Sequence, residues 1–366
     1  MAPSIAAPAL LKTPTRNLRL GFIALTDAAP IVVAGELGLF VKHGLRVELS
    51  REIGWATVRE KIIYGELDAT HAPAPMLWSA QLGIGCPPCE VLSAFVLNLN
   101  GSAFTLSTAL WEAGVRDGAT LRAHIRERRS RQPLTFGVVF QFSSHHLLIR
   151  EWLRASNIDP ERDVRIVVVP PAQMFRNLAA GTIDGYCVGD PWNSLAVREG
   201  IGWLAAWGSA QQPGMMEKVV MVTRRFATTR AAEHAALILA LHEAAAWCED
   251  PKNRERLADI LSDARVLNVP TRVITPALSG RIDCGHGRIE NVPDFHVFHR
   301  GDANAPSPAK GAIMQEALVA AGLLSPVVAT PDLPRLLLRE DLYRAALSHQ
   351  THEILPTPEL PGLVSK

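Results

Sequence analysis

The chain has 366 residues, of which 48% are hydrophobic and 20% charged, and its 37 Lys and Arg nearly balance its 36 Asp and Glu. A globular chain of this length allows two or three domains, whose cores need no disulfide or metal. The charge balance argues against a protein that binds nucleic acid through phosphate contacts, and no apolar run approaches the ~20 residues of a membrane-spanning helix.

The first 17 residues lack the features of a secretory signal, which needs a basic residue before an apolar stretch. No basic residue precedes Lys12, and Pro3 and Pro8 interrupt a weakly apolar run. We therefore expect residues 1–17 to form a loose N-terminal arm and the protein to be cytoplasmic.

From residue 18 onward, the hydrophobic periodicity predicts strands that alternate with helices. In chain order these are strand 18–25, helix 28–43, strand 45–49, a helix near 56–65, strand 67–71, helix 75–82 and strand 91–99. Such alternation implies a parallel sheet with helices on both faces.

The pattern starts again after a polar stretch at 116–132. It predicts strand 134–139, helix 144–155, strand 164–169, helix 172–180, strand 183–188, helix 191–199 and a short strand at 203–207. The restart favours a second α/β lobe over one very wide sheet. Two such lobes form a clamshell, and helix N-termini around its cleft suit small anions.

The rest of the chain is predicted to be mainly helical. Lys218 precedes an apolar segment, 219–222, that is typical of a returning strand. Helices are predicted at 232–249, 254–261, 310–321 and 333–346, and prolines 356, 358 and 361 predict an extended tail.

The five cysteines are scattered, which favours reduced thiols over a disulfide framework. Cys86 and Cys89 have the spacing of a redox or zinc pair, but no second ligand pair and no following helix support that function. No dinucleotide-binding or phosphate-loop motif is present. We therefore expect a binding protein rather than an enzyme, with no cofactor and no metal.

Several polar or aromatic residues lie where strands end or helices begin. Trp55 follows the second predicted strand, His145 lies in the first turn of a helix, and Lys218 precedes the returning strand. Asp190 and Trp192 follow strand 183–188, where doubly wound sheets bind ligands. Each has an ordinary explanation as a core aromatic, a helix cap or a solvated charge. Their shared placement on the cleft side is what favours a binding site.

Six stretches of the chain resemble the nitrate/bicarbonate-binding proteins of ABC transport systems. They are LGFIALTDAAP at 20–30, GWATVR at 54–59, DATHAPAPM at 68–76, NLNG at 98–101, VVPPAQM at 168–174 and CVGDPW at 187–192. The resemblance runs from residue 18 to about 300 and is closest to the soluble Nas-type (NasS-like) nitrate/nitrite sensors.

The resemblance implies a type II periplasmic-binding-protein clamshell of class α/β, with a ligand cleft between its lobes. The first lobe would comprise residues 18–105 and 215–366, including a C-terminal helical extension, and the second lobe 106–214. The resemblance also implies an anion pocket in which Ser102 takes the place of a glutamine found in the receptors. The expected ligand-binding residues are Trp55, Asn100, Gly101, Ser102, His145, Gln173 and Lys218, and the expected cleft-lining residues are Pro73, Pro170, Asp190 and Trp192.

The chemistry of nitrate agrees with this set. Nitrate needs hydrogen-bond donors and a positive charge, which Lys218 and the Trp55 indole supply. If a protonated His145 also binds the anion, nitrate should bind more tightly at pH 6 than at pH 8. Bicarbonate carries a proton and prefers an acceptor, so the neighbouring Glu217 leaves bicarbonate open as a ligand.

The resemblance favours a cytoplasmic nitrate/nitrite sensor. Such a protein, when ligand-free, sequesters an ANTAR-domain RNA-binding antiterminator and releases it on binding nitrate or nitrite, so this chain itself would contact neither nucleic acid nor membrane. The alternative is a nitrate- or bicarbonate-binding receptor of an ABC transporter. A thiamine-precursor enzyme of the same fold would need a cysteine-rich iron site. Replacing Lys218 by alanine is expected to abolish nitrate binding while folding survives.

Overall fold

The computed structural model describes residues 17–128 and 132–350. Residues 1–16 of the predicted arm and the prolines of the predicted tail therefore lie outside the described residues. Within that part of the chain, the α/β clamshell is present as two mixed sheets, each surrounded by helices.

The strands are numbered in chain order. They are β1 (Leu18–Ile23), β2 (Val47–Glu52), β3 (Ala69–Pro73), β4 (Val91–Leu92), β5 (Val96–Asn100), β6 (Ser102–Ser107), β7 (Leu134–Val138), β8 (Val164–Val168), β9 (Gly185–Gly189), β10 (Gly202–Trp207), β11 (Met216–Thr223), β12 (Arg281–Gly285), β13 (Arg288–Asn291) and β14 (His296–Val297).

The α-helices are numbered in the same way. They are α1 (Ala29–Glu36), α2 (Leu39–Lys42), α3 (Trp55–Ile63), α4 (Met76–Leu82), α5 (Thr108–Glu112), α6 (Gly118–Glu127), α7 (Ser144–Ala155), α8 (Pro171–Ala179), α9 (Trp192–Arg198), α10 (Gly208–Gln211), α11 (Arg224–Thr229), α12 (Ala231–Glu249), α13 (Arg254–Ser262), α14 (Thr271–Ser279), α15 (Pro308–Ala320), α16 (Leu333–Leu337) and α17 (Glu340–Gln350).

The first lobe is built on a seven-stranded sheet of order β14-β5-β11-β3-β1-β2, with β4 also paired to β11. Strand β1 runs parallel to β2 and β3, as the strand–helix alternation predicts. Strand β11 runs antiparallel to β3, because the chain returns to this sheet from the second lobe. The sheet is therefore mixed, whereas the sequence predicted a parallel one.

The second lobe is built on a five-stranded sheet of order β10-β6-β9-β7-β8. Strand β7 runs parallel to β8 and β9, and β6 runs antiparallel to both β9 and β10. Strand β6 lies in this sheet, so the chain first passes from the first lobe to the second at Gly101, before the predicted boundary at 105. The backbone turns there through Asn100 and Gly101, whose φ angles are 60° and 96°.

The hairpin β12–β13 packs on the second lobe. Ile282 and Cys284 share a buried apolar cluster with Ala103 of β6 and Leu204 of β10, and His286 at the hairpin turn stacks on Trp111 with ring centroids 3.9 Å apart. The sequence analysis assigned all of 215–366 to the first lobe. That assignment does not hold for the hairpin, because its apolar side chains complete the core of the second lobe.

Several helices differ from the predicted ones for local reasons. The predicted helix 28–43 is divided into α1 and α2 at Gly38, whose φ of 69° is left-handed. The predicted helix 333–346 is divided at Leu338, which is extended. The polar stretch 116–132 contains α6, which begins with a capping box between Asp117 and Thr120.

All five cysteines are free thiols, and Cys86 and Cys89 are half-buried. Among the described helices, none combines the length and the apolar character needed to cross a membrane.

Candidate functional site

A group of polar side chains is buried between the two sheets. We call it the interlobe cluster, and each member is at most 1% exposed. Its members are Asp27, Trp55, His71, Ser102, Ser144, His145, Glu217 and Lys218.

Both lobes contribute to the interlobe cluster. Asp27 lies in a short 3-10 helix directly after β1, and Trp55 is the first residue of α3. His145 lies in the first turn of α7, which Ser143 caps. These residues of the site therefore lie after strands or at the beginnings of helices, as the sequence pattern predicts.

Glu217 and Lys218 are neighbours on β11, yet both enter the cluster. Adjacent strand residues normally point to opposite faces of a sheet. Here the pairing of β11 with β5 is irregular on both sides of Lys218. Such an irregularity re-aims side chains, and it explains how a carboxylate and an ammonium from consecutive residues come to lie together.

Lys218 is held between two carboxylates. Its Nζ lies 2.8 Å from Oδ2 of Asp27 and 2.6 Å from Oε1 of Glu217. Burial alone would lower the pKa of Lys218, but the two carboxylates raise it above its ordinary value. Burial alone would likewise raise the pKa of Asp27 and Glu217, but Lys218 lowers both. All three groups are therefore charged at neutral pH.

His71 orients Asp27. Its Nδ1 accepts a hydrogen bond from the Ile23 amide at 3.3 Å, so the ring proton of the neutral imidazole is assigned to Nε2. That nitrogen lies 2.9 Å from Oδ1 of Asp27. Burial lowers the pKa of His71, which keeps the ring neutral.

Glu217 has partners in the second lobe as well. The Ser144 hydroxyl donates to its Oε1, and the Ser102 hydroxyl donates to its Oε2 at 3.1 Å. Nε2 of His145 lies 3.5 Å from Oε1. Glu217, which belongs to the first lobe, thus contacts three residues of the second lobe.

Trp55 and His145 have ring nitrogens that the interlobe cluster does not satisfy. Within the described residues, Nε1 of Trp55 and Nδ1 of His145 are buried without a partner, and Nε2 of His145 makes no hydrogen bond and only approaches Glu217 at 3.5 Å. A buried donor left unpaired costs about 1–3 kcal/mol. Nζ of Lys218 lies 5.7 Å from the centre of the Trp55 ring. A small ligand with several acceptor oxygens would satisfy these groups together.

The structure brings together four of the predicted ligand-binding residues: Trp55, Ser102, His145 and Lys218. Sequence reasoning missed Asp27, His71 and Ser144 as members of the cluster, although Asp27 and His71 lie in stretches that carry the resemblance, 20–30 and 68–76. It noted Glu217 only as a neighbour of Lys218.

Asn100, Gly101 and Gln173 do not join the interlobe cluster. The Asn100 side-chain amide donates to the Asp294 carbonyl at 2.9 Å and accepts from the Gly214 amide at 3.1 Å. Both its donor and its acceptor side are therefore bonded to the backbone. Gly101 forms the turn between β5 and β6. Gln173 is exposed on α8. Only one face of that helix is buried, and Gln173 lies on the other face, apart from the cluster.

Two of the predicted cleft-lining residues join the lobes to each other. The Trp192 indole donates to the Ala24 carbonyl at 3.1 Å, and the Asp190 carbonyl accepts from the Thr26 amide at 2.7 Å. The Asp190 carboxylate accepts from the Ser194 amide and hydroxyl at the start of α9. The Trp192 indole and the Asp190 carbonyl and carboxylate therefore already have hydrogen-bond partners within the protein.

The two predicted cleft-lining prolines lie at the ends of their elements. Pro73 pairs with Lys218 in the first sheet, next to the cluster. Pro170 is half-buried and directly precedes α8. A proline can offer a ligand only its carbonyl and its apolar ring, so both prolines can shape the cleft without adding a donor.

The depth of the site changes the expected pH dependence of nitrate binding. Burial lowers the pKa of His145 to about 4, so its imidazole is neutral at both pH 8 and pH 6. We therefore expect equal nitrate affinity at these two values, with a rise only as the pH falls toward 4 and the imidazolium forms. Calorimetric titrations across this range test the expectation. A clear gain in nitrate affinity from pH 8 to pH 6, the direction that the sequence analysis expected, would contradict it.

Comparisons with known proteins agree with this geometry. The chain is 39% identical over 293 residues to the bicarbonate transport ATP-binding protein CmpC of Synechococcus elongatus, covering 80% of this chain and 43% of that protein. It is 30% identical over 353 residues to the nitrate/nitrite binding protein NrtA of Nostoc sp., covering 94% of this chain and 80% of that protein. The chain spans about half the length of the ATP-binding relatives it matches.

The fold has a close structural counterpart. The crystal structure of the periplasmic nitrate-binding protein NrtA from Synechocystis PCC 6803 aligns with a TM-score of 0.87 and 28% identity, covering 93% of this chain and 89% of that one. This agreement confirms the predicted two-lobed periplasmic-binding-protein fold. A family model described as the NMT1-like family matches residues 11–262, which is more than half of the chain. The chain therefore belongs to the NMT1-like family.

Proposed function

We propose that this chain binds a small planar oxyanion of the nitrate and bicarbonate class between its lobes, as a binding component of an ABC import system. The observation that carries this proposal is the pair of buried ring nitrogens without a partner, Nε1 of Trp55 and Nδ1 of His145, beside the Lys218 ammonium. The names of the relatives, which are nitrate- or bicarbonate-binding or transport proteins, support the same ligand class.

Bicarbonate fits the interlobe cluster better than nitrate does. With both histidines neutral, Asp27 and Glu217 outweigh the single positive charge of Lys218. Nitrate offers only acceptor oxygens, so it would face the Glu217 carboxylate without a proton between them. Bicarbonate carries a hydroxyl that can donate to Glu217, while its other oxygens accept from Lys218 and Trp55. We therefore propose that the site prefers bicarbonate.

The two serines can adapt to the ligand. In this structure the Ser102 and Ser144 hydroxyls both donate to Glu217. A hydroxyl turns freely about its bond, so either one can donate to a bound oxyanion while the ligand hydroxyl takes its place at the carboxylate. The positive end of the α7 dipole lies at Ser144 and favours the same charge. Ser102 thus supplies a donor where the receptors of the family carry a glutamine.

The sensor function inferred from the resemblance is the alternative. It adds a partner, an ANTAR-domain antiterminator, and a cytoplasmic location. The named relatives belong to transport systems, so they favour the receptor over sequestration of an RNA-binding protein. Both functions share the same oxyanion site, and the partner and the location stay predictions.

The Trp55 donor provides a direct test of the proposed site. Replacing Trp55 by phenylalanine removes an N–H that has no partner among the described residues. We expect the affinity for bicarbonate to fall about tenfold, which is ~1.4 kcal/mol, while the free energy of unfolding changes by only about 1 kcal/mol. Calorimetry and urea denaturation measure the two quantities.

Trp78 is the matched control for this experiment. It is fully buried in the first lobe, and its indole donates to Oε1 of Gln315 at 3.0 Å. Trp78→Phe should therefore lower stability and leave the affinity unchanged. Unchanged affinity in Trp55→Phe, or equal losses of affinity in both variants, would refute the proposed site.

A further inference from the structure

One buried histidine is not used by the site as described so far. His296 begins β14 and is 4% exposed, and within the described residues neither of its ring nitrogens has a hydrogen-bond partner. It lies beyond residue 262, where the match to the family model ends. An unsatisfied buried group of this kind requires an explanation, such as a bound ligand.

The fold places His296 against the crossing between the lobes. In the pairing of β14 with β5, His296 is opposite Asn100. A Cβ atom added at Gly101 would lie 2.5 Å from both Cε1 and Nδ1 of the His296 ring. The ring therefore packs directly on the backbone that leads into Ser102, whose hydroxyl donates to Glu217.

The surroundings of His296 connect it to the charges of the interlobe cluster. Burial lowers the pKa of His296 to about 4, and Asp27, Lys218 and Glu217 all act on this pKa through their charges. Asn98 lies in the same place, since its Nδ2 is 3.3 Å from the position of a Cβ at Gly101. The Oδ1 of Asn98 is also buried without a hydrogen-bond partner among the described residues. His296 and Asn98 thus place polar atoms against the backbone at Gly101, directly before Ser102 of the cluster.

Apolar packing alone does not account for a histidine at this position. The ring stacks on Phe298 with an angle of 7° and meets Phe295 edge-on. Phenylalanine would satisfy both contacts without burying two nitrogens that lack partners. Replacing an unsatisfied buried polar group by an apolar group of similar shape is nearly neutral or stabilising. Retaining the imidazole therefore costs stability, and a ligand would offset this cost.

We propose that His296 is a further ligand-binding residue, which donates one ring N–H to an oxygen of the oxyanion held by Trp55, His145 and Lys218. This inference rests on the proposed function and extends its site to the C-terminal part of the chain. Because His296 directly follows Phe295, which is buried against the second lobe, the contact also links the ligand to both lobes.

The experiment compares three variants with the wild type, using calorimetric titration with sodium bicarbonate and thermal unfolding without ligand. His296→Phe removes the donor and keeps the ring packing, and His296→Gln restores a donor. His234→Phe is the matched control, since His234 is 4% exposed and packs edge-on against Phe226, and its pKa is also lowered to about 4.

We expect His296→Phe to bind bicarbonate about tenfold more weakly, which is ~1.4 kcal/mol, while its melting temperature equals or exceeds that of the wild type. His296→Gln should recover part of the affinity, and His234→Phe should bind as the wild type does. Wild-type affinity in His296→Phe, or an equal loss in His234→Phe, would overturn the inference and leave the proposed function intact. Absence of binding by the wild type would overturn both.

Discussion

Replacing Lys218 by methionine is expected to abolish oxyanion binding and to lower the free energy of unfolding by about 3–5 kcal/mol. The ammonium is fully buried and lies within 2.8 Å of the Asp27 carboxylate and 2.6 Å of the Glu217 carboxylate. Its removal leaves two buried negative charges without their counterion, and these would also repel an incoming anion. Affinity should fall at least a hundredfold, which is ~2.7 kcal/mol.

The loss of stability revises the simpler expectation that a Lys218 variant only loses binding. Urea denaturation and calorimetric titration measure the two effects. Adding Asp27→Asn to Lys218→Met should recover about 1–3 kcal/mol of stability, because one uncompensated charge is removed, while binding stays absent.

Lys42→Met is the control, since its Nζ lies 2.6 Å from Glu243 but its side chain is 58% exposed. That change should cost less than about 1 kcal/mol. A stable Lys218→Met that binds bicarbonate as the wild type does would show that the cluster is not the site.

Replacing Glu217 by glutamine is expected to reverse the preference between the two anions. The substitution removes the charge that faces the ligand and adds an amide donor in nearly the same shape. Nitrate affinity should rise and bicarbonate affinity should fall, each about tenfold, or ~1.4 kcal/mol. Glutamine keeps one oxygen that can accept from Ser102 or Ser144, which helps to preserve the contact between the lobes.

Paired titrations of wild type and Glu217→Gln with nitrate and bicarbonate measure this reversal. Glu243→Gln is the matched control, because Glu243 also contacts a lysine at 2.6 Å but lies on α12, outside the interlobe cluster. It should leave both affinities unchanged. If Glu217→Gln changes neither the nitrate affinity nor the bicarbonate affinity, the Glu217 carboxylate does not face the ligand and the argument for bicarbonate fails.

The amino-acid sequence predicts most of the architecture because its hydrophobic residues recur with the periods of strands and helices. It misses β6, since 102–107 is buried on both faces and follows the predicted strand 91–99 after only a short turn. It also misses the hairpin β12–β13, whose place in the second lobe depends on contacts with residues about 80–180 positions earlier in the chain. Such long-range pairing leaves little trace in local periodicity.

The site is predictable to the extent that its residues mark the ends of elements. Trp55 and His145 are found because each lies at the beginning of a helix. Lys218 is found because it precedes a clearly apolar segment, although in the structure it is the third residue of β11. His71 lies within a strand, so its position resembles that of an ordinary core residue. The degree of burial cannot be derived from the sequence, and burial is what keeps His145 neutral and removes the expected difference in nitrate affinity between pH 6 and pH 8.

The most direct test of the account is calorimetric titration of the purified chain with bicarbonate and then with nitrate, at about pH 8 in chloride-free buffer. If the interlobe cluster is an oxyanion site in which Glu217 accepts a ligand proton, bicarbonate should bind at one site per chain, at least tenfold more tightly than nitrate. Tighter binding of nitrate would contradict the role given to Glu217. No heat with either anion would contradict the oxyanion site itself.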